Sequence, residues 1–312
     1  MKVNHVKFNP MHTRRSHLDP LAMGLLLACC VFWGMQQVLV KVTLDDIPPV
    51  LQVSIRFACA TALLWLWCRL RGTPLMTSDG SLWPGLLAGT LFCGEFACIY
   101  LGLAHTSASR LTLFLYTAPF WVALLLPLRV TSERLRPVQW LGLGLAFVSV
   151  GLALKDGLQT SGADSHWVWL GDAYAIGAGV LWGLTTVVIR STRVASVSAE
   201  KMLFYQVGVS SCLLPVVSWL LGESWPATFS PFAQVSLAIQ TVVGAFASYL
   251  VWMWLLRHYP ATRLNAFVFL TPVFALISGA VWLGEAITPA LVVALVGVTA
   301  GIVLVNRPPH KV

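Results

Sequence analysis

Two residues of opposite charge stand inside long apolar runs. Arg56 lies in the run that begins at Pro49, and Glu95 lies in the run that begins at Trp83. At 1.5 Å per helical residue, Arg56 is roughly 10 Å from the end where its run would enter a ~30 Å hydrocarbon layer. Glu95 is roughly 18 Å from one face and about 12 Å from the other, so the two depths match if the runs are antiparallel. A guanidinium suits a carboxylate, and a buried carboxylate suits an ammonium group or a proton. Two readings stand: a polar feature beside a substrate path, or a structural ion pair joining two helices.

Other groups recur in a pattern. Trp33-Gly34 is followed by Gln36, Gln37 and Lys41, and Trp182-Gly183 is followed by Thr185, Thr186 and Arg190. Hydrogen-bonding groups at mid-helix suit either a cavity wall or bonds between packed helices, and Gln37 and Thr186 are the cavity candidates. Trp33, Trp182, Tyr100, Tyr116, Tyr249, Trp252, Trp254 and Phe269 could line an aromatic cavity for amino-acid side chains or organic cations. Lipid-facing belts are the other reading of such rings, and Trp83, Trp140, Trp167 and Trp169 are assigned there. Asn265 adds a polar candidate. Pro119 and Pro272, each in mid-run, kink their helices, as a gating hinge or as a fixed bend.

Enzymatic chemistry finds no support. There is no Walker loop, HExxH, GxSxG or cofactor fingerprint, so no cofactor is expected. The histidines (His5, His12, His17, His105, His166, His258, His310) fall in tails and loops. The seven cysteines show no CxxC or metal-ligand spacing and read as small packing residues.

The elements that carry these residues are membrane spans. Hydrophobic residues make up 57% of the 312-residue chain and charged residues 10%, against roughly 25% charged in soluble domains. Ten apolar runs are expected: Leu21–Val42, Pro49–Trp67, Trp83–Leu103, Ala108–Leu128, Pro137–Leu154, Trp167–Ile189, Ala199–Leu221, Pro231–Leu256, Ala261–Leu283 and Thr288–Val305. Each approaches the ~20 residues that a helix needs to cross a bilayer, which excludes a barrel of shorter alternating strands. The net charge of +8 then reports topology and not a nucleic-acid partner. Fifteen of the twenty Lys and Arg residues fall on one side of this arrangement, the side of both termini, so both termini are expected in the cytoplasm.

The chain is also duplicated. Residues 108–120 return as 261–273 with Ala108/Ala261, Arg110/Arg263, Leu111/Leu264, Phe114/Phe267 and Pro119/Pro272 identical. Gly94-Glu95 returns as Gly244-Ala245, and Glu133…Pro137 returns as Glu285…Pro289. At the places of Arg56 and Glu95 the second copy has Tyr205 and Ala245, so that charged feature belongs to one copy only. An odd number of spans per copy forces the second copy to enter upside down, the inverted-repeat arrangement of many secondary transporters. The expected layout is a tail (1–18), a five-helix repeat (19–155), a linker (156–166), a second repeat (167–305) and a tail (306–312).

Ten spans, two five-helix copies, the aromatic-Trp-Gly of each copy, the Ala-Ser/Thr-Arg-Leu…Pro segment and Gly284-Glu285…Pro289 together resemble the EamA-type drug/metabolite transporters over about residues 20–305. Ser132 stands where the second copy has Gly284. Trp content and the Trp33/Trp182 pair are most similar to the aromatic amino-acid exporter branch. The resemblance implies a secondary exporter of amino acids, aromatic or broadly apolar, acting by alternating access in the cell membrane, with protons as the candidate coupling ion. Organic-cation efflux is the alternative, and a membrane-embedded enzyme is the alternative from another class. Gly297 and Gly301 offer either close helix packing or a dimer face, and since a ten-span chain can enclose its own site, a monomer is expected.

Overall fold

A computed structural model describes residues 18–105, 108–159, 168–283 and 289–306. Every regular element among them is helical. That is the expected outcome for apolar segments in lipid, where each backbone polar group must be satisfied within its own segment. The helices are α1 (Pro20–Thr43), α2 (Pro49–Arg71), α3 (Leu82–His105), α4 (Ala108–Leu115 and Ala118–Leu125), α5 (Pro137–Gln159), α6 (Val168–Ser191) and α7 (Ala199–Leu220). They continue as α8 (Pro231–Ile239, Gln240–Ser248 and Tyr249–His258), α9 (Ala261–Phe267 and Leu270–Leu283) and α10 (Pro289–Asn306). Among the described residues six helices are long and apolar enough to cross a membrane, and four shorter apolar stretches fall in α1, α5, α9 and α10. The chain is an all-helical, multi-pass membrane protein.

Three spans are not continuous α-helices, two of them at the prolines expected to kink them. α4 and α9 are broken, not merely kinked. A proline has no N–H to donate and clashes with the carbonyl four residues back, so the helix stops before it and restarts. Around the first break Tyr116 N donates to Thr112 O at 3.0 Å and Thr117 N to Phe114 O at 3.1 Å. Around the second, Val268 N donates to Asn265 O at 3.2 Å and Thr271 N to Val268 O at 2.9 Å. The third departure is in α8, whose middle, Gln240–Ser248, is wound as a wider π-helix.

The glycine of each Trp-Gly pair sets a close helix crossing between the halves. A Cβ at Gly34 would lie 2.7 Å from Ala275 N and 2.8 Å from Thr271 O, so α1 rests directly on the α9 backbone. A Cβ at Gly183 would lie 2.6 Å from Trp121 Cβ and 3.3 Å from its carbonyl carbon, so α6 rests on α4 in the same way. Each half therefore packs its first helix on the fourth helix of the other. α5 and α10 also meet through small residues. Cβ atoms at Gly142 and Gly301 would run into each other's backbone, and one at Gly297 would run into Ser149. The Gly297/Gly301 pair thus serves packing within the chain.

Buried polar contacts lock the ends of helices. Glu223 accepts from Val50 N (2.9 Å) and Leu51 N (2.8 Å) at the start of α2. Lys201, in the first turn of α7, donates to Asp79 Oδ2 at 2.8 Å and to Thr77 O at 2.9 Å. Glu133, only 3% exposed, pairs with Arg190 and accepts from Ala261 N (3.1 Å) and Thr262 N (3.2 Å). Arg190, one residue past the expected run Trp167–Ile189, is buried at the end of α6, and it also donates to Leu256 O at 2.6 Å.

Candidate functional site

Between the halves lies a cavity with about 110 Å³ open to the centre of a water-sized sphere. A single water needs roughly 10–15 Å³ on that measure, so the space suits a small organic solute. Its walls come from α1, α2 and α3, the end of α4's first piece, α6, α7 and the second half of α8.

One wall is aromatic and continuous across both halves. Trp33 stands edge-on to Trp252 (5.7 Å, 71°), which stands edge-on to Trp182 (6.5 Å, 83°), which meets Tyr116 (6.2 Å, 65°). Trp33 is fixed in place because its Nε1 donates to Ser248 Oγ at 2.8 Å. That hydroxyl sits at the end of the π-helical segment and donates in turn to Gly244 O at 2.6 Å.

The two charges face this space and do not pair with each other. Arg56 is fully buried. Its Nη2 donates to Tyr249 OH at 2.9 Å, and its guanidinium carbon lies 5.5–5.7 Å from the ring centres of Phe57, Phe96 and Tyr249. Among the described residues its Nε and Nη1 meet no hydrogen-bond acceptor. Glu95, 6% exposed, lines the same cavity and has no hydrogen-bond or ion-pair partner among the described residues. The structural ion pair allowed by matched depth is therefore absent. Ring faces stabilise the cation by cation–π attraction, and no carboxylate among the described residues neutralises it.

Gly244 makes this arrangement possible. A Cβ there would collide with Gln36 Oε1 and come within 3.2 Å of Arg56 Nη2. The wider π-helical turn and the missing side chain together let Gln36 and Arg56 approach α8.

Of the residues singled out in the sequence, Trp33, Arg56, Glu95, Tyr100, Tyr116, Trp182, Thr186 and Tyr249 line the cavity. The Gln37 side chain lies outside the described residues, and its neighbour Gln36 is on the wall instead. Asn265 is fully buried, with Nδ2 donating to Ala261 O at 2.9 Å inside α9. Phe269 is fully buried between Phe120 (6.3 Å) and Phe147 (6.4 Å). Trp254 packs on His258 at 4.5 Å. Asn265 and Phe269 are core residues by position, and Trp254 is half-buried against the core. Pro119 and Pro272 are both buried, but only the first break reaches the cavity, through Leu115 and Tyr116. Gln206, Thr185 and Trp252 join the wall. Gln206 escaped the sequence pairing, which set Tyr205 opposite Arg56. Counted from the helix starts at Pro49 and Ala199, Arg56 and Gln206 hold the same position. Tyr205 instead bonds Ser81 Oγ at 2.8 Å.

A multi-pass helical protein with a cavity walled by both halves has the build of a membrane transporter. The model of the EamA-like transporter family matches it twice, over residues 20–155 and 169–307, and the chain belongs to that family. It is similar to the uncharacterized transporter YvbV of Bacillus subtilis, 27% identical over 91% of each chain. It is 25% identical to a probable amino-acid metabolite efflux pump of Salmonella typhimurium, over 89% of this chain and 92% of that one. It is 24% identical to the uncharacterized inner membrane transporter YedA of Escherichia coli K12, over 94% of this chain and 92% of that one. A crystal structure sharing 18% identity superposes with a TM-score of 0.74 over 90% of this chain and 96% of that chain, which establishes the common fold. Family membership makes the protein a transporter and points away from enzymatic chemistry.

Proposed function

We propose that this protein is a secondary transporter that exports amino acids, aromatic and apolar ones among them, from the cytoplasm. It sits in the inner membrane with both termini cytoplasmic, and its two halves are inverted repeats that alternate access to the shared cavity. The observation that carries the substrate class is the pair Arg56 and Glu95. Each is buried against one aromatic cavity, and neither neutralises the other. A zwitterion supplies both missing partners, its carboxylate to Arg56 and its ammonium to Glu95. The aromatic wall of Trp33, Trp252 and Trp182 then receives the side chain. Glu95 is also the group placed to exchange a proton, since it has no hydrogen-bond or ion-pair partner among the described residues. The printed name of the Salmonella relative agrees with the substrate class, and that of the Escherichia coli relative with the membrane.

Efflux of organic cations draws on the same aromatic wall and on Glu95, but it leaves the buried Arg56 repelling its cargo. Counterflow in proteoliposomes separates the two readings. Vesicles preloaded with unlabelled phenylalanine accumulate labelled phenylalanine if amino acids are the cargo. Accumulation of labelled tetraphenylphosphonium alone overturns the amino-acid reading in favour of the cation.

A further inference from the structure

We propose that Gln206 is a specificity-determining residue that selects amino acids whose side chain ends in a hydrogen-bonding group, such as a phenol, over apolar side chains of the same size. The inference rests on the amino-acid export reading and deepens it.

The duplication puts Arg56 and Gln206 at the same position of α2 and α7. Ten alternating spans make these two helices start from opposite membrane faces. Each residue then lies roughly 10 Å from its own face of a ~30 Å layer, so their levels are about 10 Å apart. The cavity consequently has two ends of different character. Around Arg56 stand Gln36 and Glu95, an end that is charged. The Gln206 end carries no charge, and Thr185 and Thr186 add neutral polar groups to the same cavity wall. If the zwitterionic head occupies the first end, the side chain extends along the tryptophans toward the second.

Gln206 is 2% exposed, yet its buried Oε1 has no hydrogen-bond partner among the described residues. A glutamine serving as glue between helices would show a partner on a neighbouring helix. An amide group left unmet in a low-dielectric interior is unfavourable, and that penalty is relieved when a ligand supplies the missing group. Thr185 does not fill the role, because its hydroxyl donates to Leu181 O at 2.8 Å within α6. A site built to hydrogen-bond a substrate group discriminates strongly against the analogue that lacks it.

The test is competitive counterflow of tyrosine and phenylalanine, two side chains that differ by one hydroxyl. The native protein is expected to exchange tyrosine in preference to phenylalanine by about tenfold, the size expected for one buried hydrogen bond. Gln206→Met, of similar shape but apolar, is expected to bring the ratio close to one by slowing tyrosine while phenylalanine exchange persists. Gln206→Asn, which withdraws the amide by one methylene, is expected to give an intermediate ratio, and it stands in if the Met variant does not reach the membrane. A native protein with no tyrosine preference overturns the proposal. So does an active variant that keeps the native ratio. Exchange of phenylalanine without that preference leaves the export reading intact, whereas absence of exchange with either amino acid overturns both.

Discussion

Arg56 is placed where a positive charge is expensive, since an ionised group deep in a membrane protein is tolerated only beside a partner, a cavity or bound ligand. Tyr249 and three ring faces hold its orientation without neutralising it. Glu95 has no hydrogen-bond or ion-pair partner among the described residues, so both side chains can respond to cargo. Glu95→Gln keeps the shape and removes the charge. Uptake is expected to fall, or to lose its pH dependence, and unchanged uptake at every pH would remove Glu95 from the mechanism. Gly244→Ala is expected to lower transport severalfold by driving Gln36 and Arg56 off α8, read as the initial rate per inserted protein. An unaltered rate contradicts the role given to that close approach. The charged pair was legible in the sequence because ionisable residues are rare in apolar runs. Gln206 was not, because choosing Tyr205 as the counterpart of Arg56 shifts the register by one residue. That shift is about 100° of helix rotation, enough to exchange a cavity-facing residue for one bonded to Ser81.

Hydropathy predicted the helices to within a few residues at most ends, as it must where lipid forces every backbone group into a helix. It was blind to how they are interrupted. A proline in an apolar run announces a lost hydrogen bond, but whether the helix bends or breaks depends on what satisfies the neighbouring carbonyls. The π-helical middle of α8 had no signal apart from Gly244. Pro119→Ala and Pro272→Ala are expected to slow transport more than they reduce the amount of inserted protein. The opposite order would make both breaks fixed packing features. Glu133, Arg190 and the first turn of α9 form a buried cluster between helix ends. It joins the loop after α4 to the ends of α6 and α8, immediately beyond the cavity residues Ile189 and Leu256. Glu133→Ala strands a buried guanidinium and two backbone N–H groups, a loss of roughly 3–5 kcal/mol for such a pair. A clear fall in the melting temperature of the detergent-solubilised protein is expected, and an unchanged melting temperature contradicts this account of the cluster.

For the whole molecule, the halves are joined by contacts exchanged both ways: Gly34 on α9 and Gly183 on α4 in the interior, Glu223 on α2 and Asp79 on α7 at the helix starts. Partial burial raises the affinity of Asp79 for its proton, but hydrogen bonds from Lys201, Ser81 and Thr77 outweigh it and hold the carboxyl below the ordinary range. The sign follows from that depression. The contact contributes fully above the unfolded carboxylate value near ~3.9 and is lost as pH falls through the lower folded value. Asp79→Asn is expected to flatten the acid limb of a melting-temperature profile, and an identical limb rules the contact out as its source. The duplication itself was plain in the sequence. How the copies interlock was not, because cross-half packing at Gly34 and Gly183 depends on backbone approach and not on residue type.

On the proposed function, one cavity reads both charges of an amino acid. The most direct measurement is counterflow by the purified protein of three aromatic solutes of similar size: phenylalanine, phenethylamine, which lacks the carboxylate, and phenylpropionate, which lacks the ammonium. Exchange of phenylalanine alone is predicted, with Arg56→Gln and Glu95→Gln each impairing it. Exchange of phenethylamine as fast as phenylalanine, undiminished in Arg56→Gln, would contradict the account and mark the cavity as a cation site.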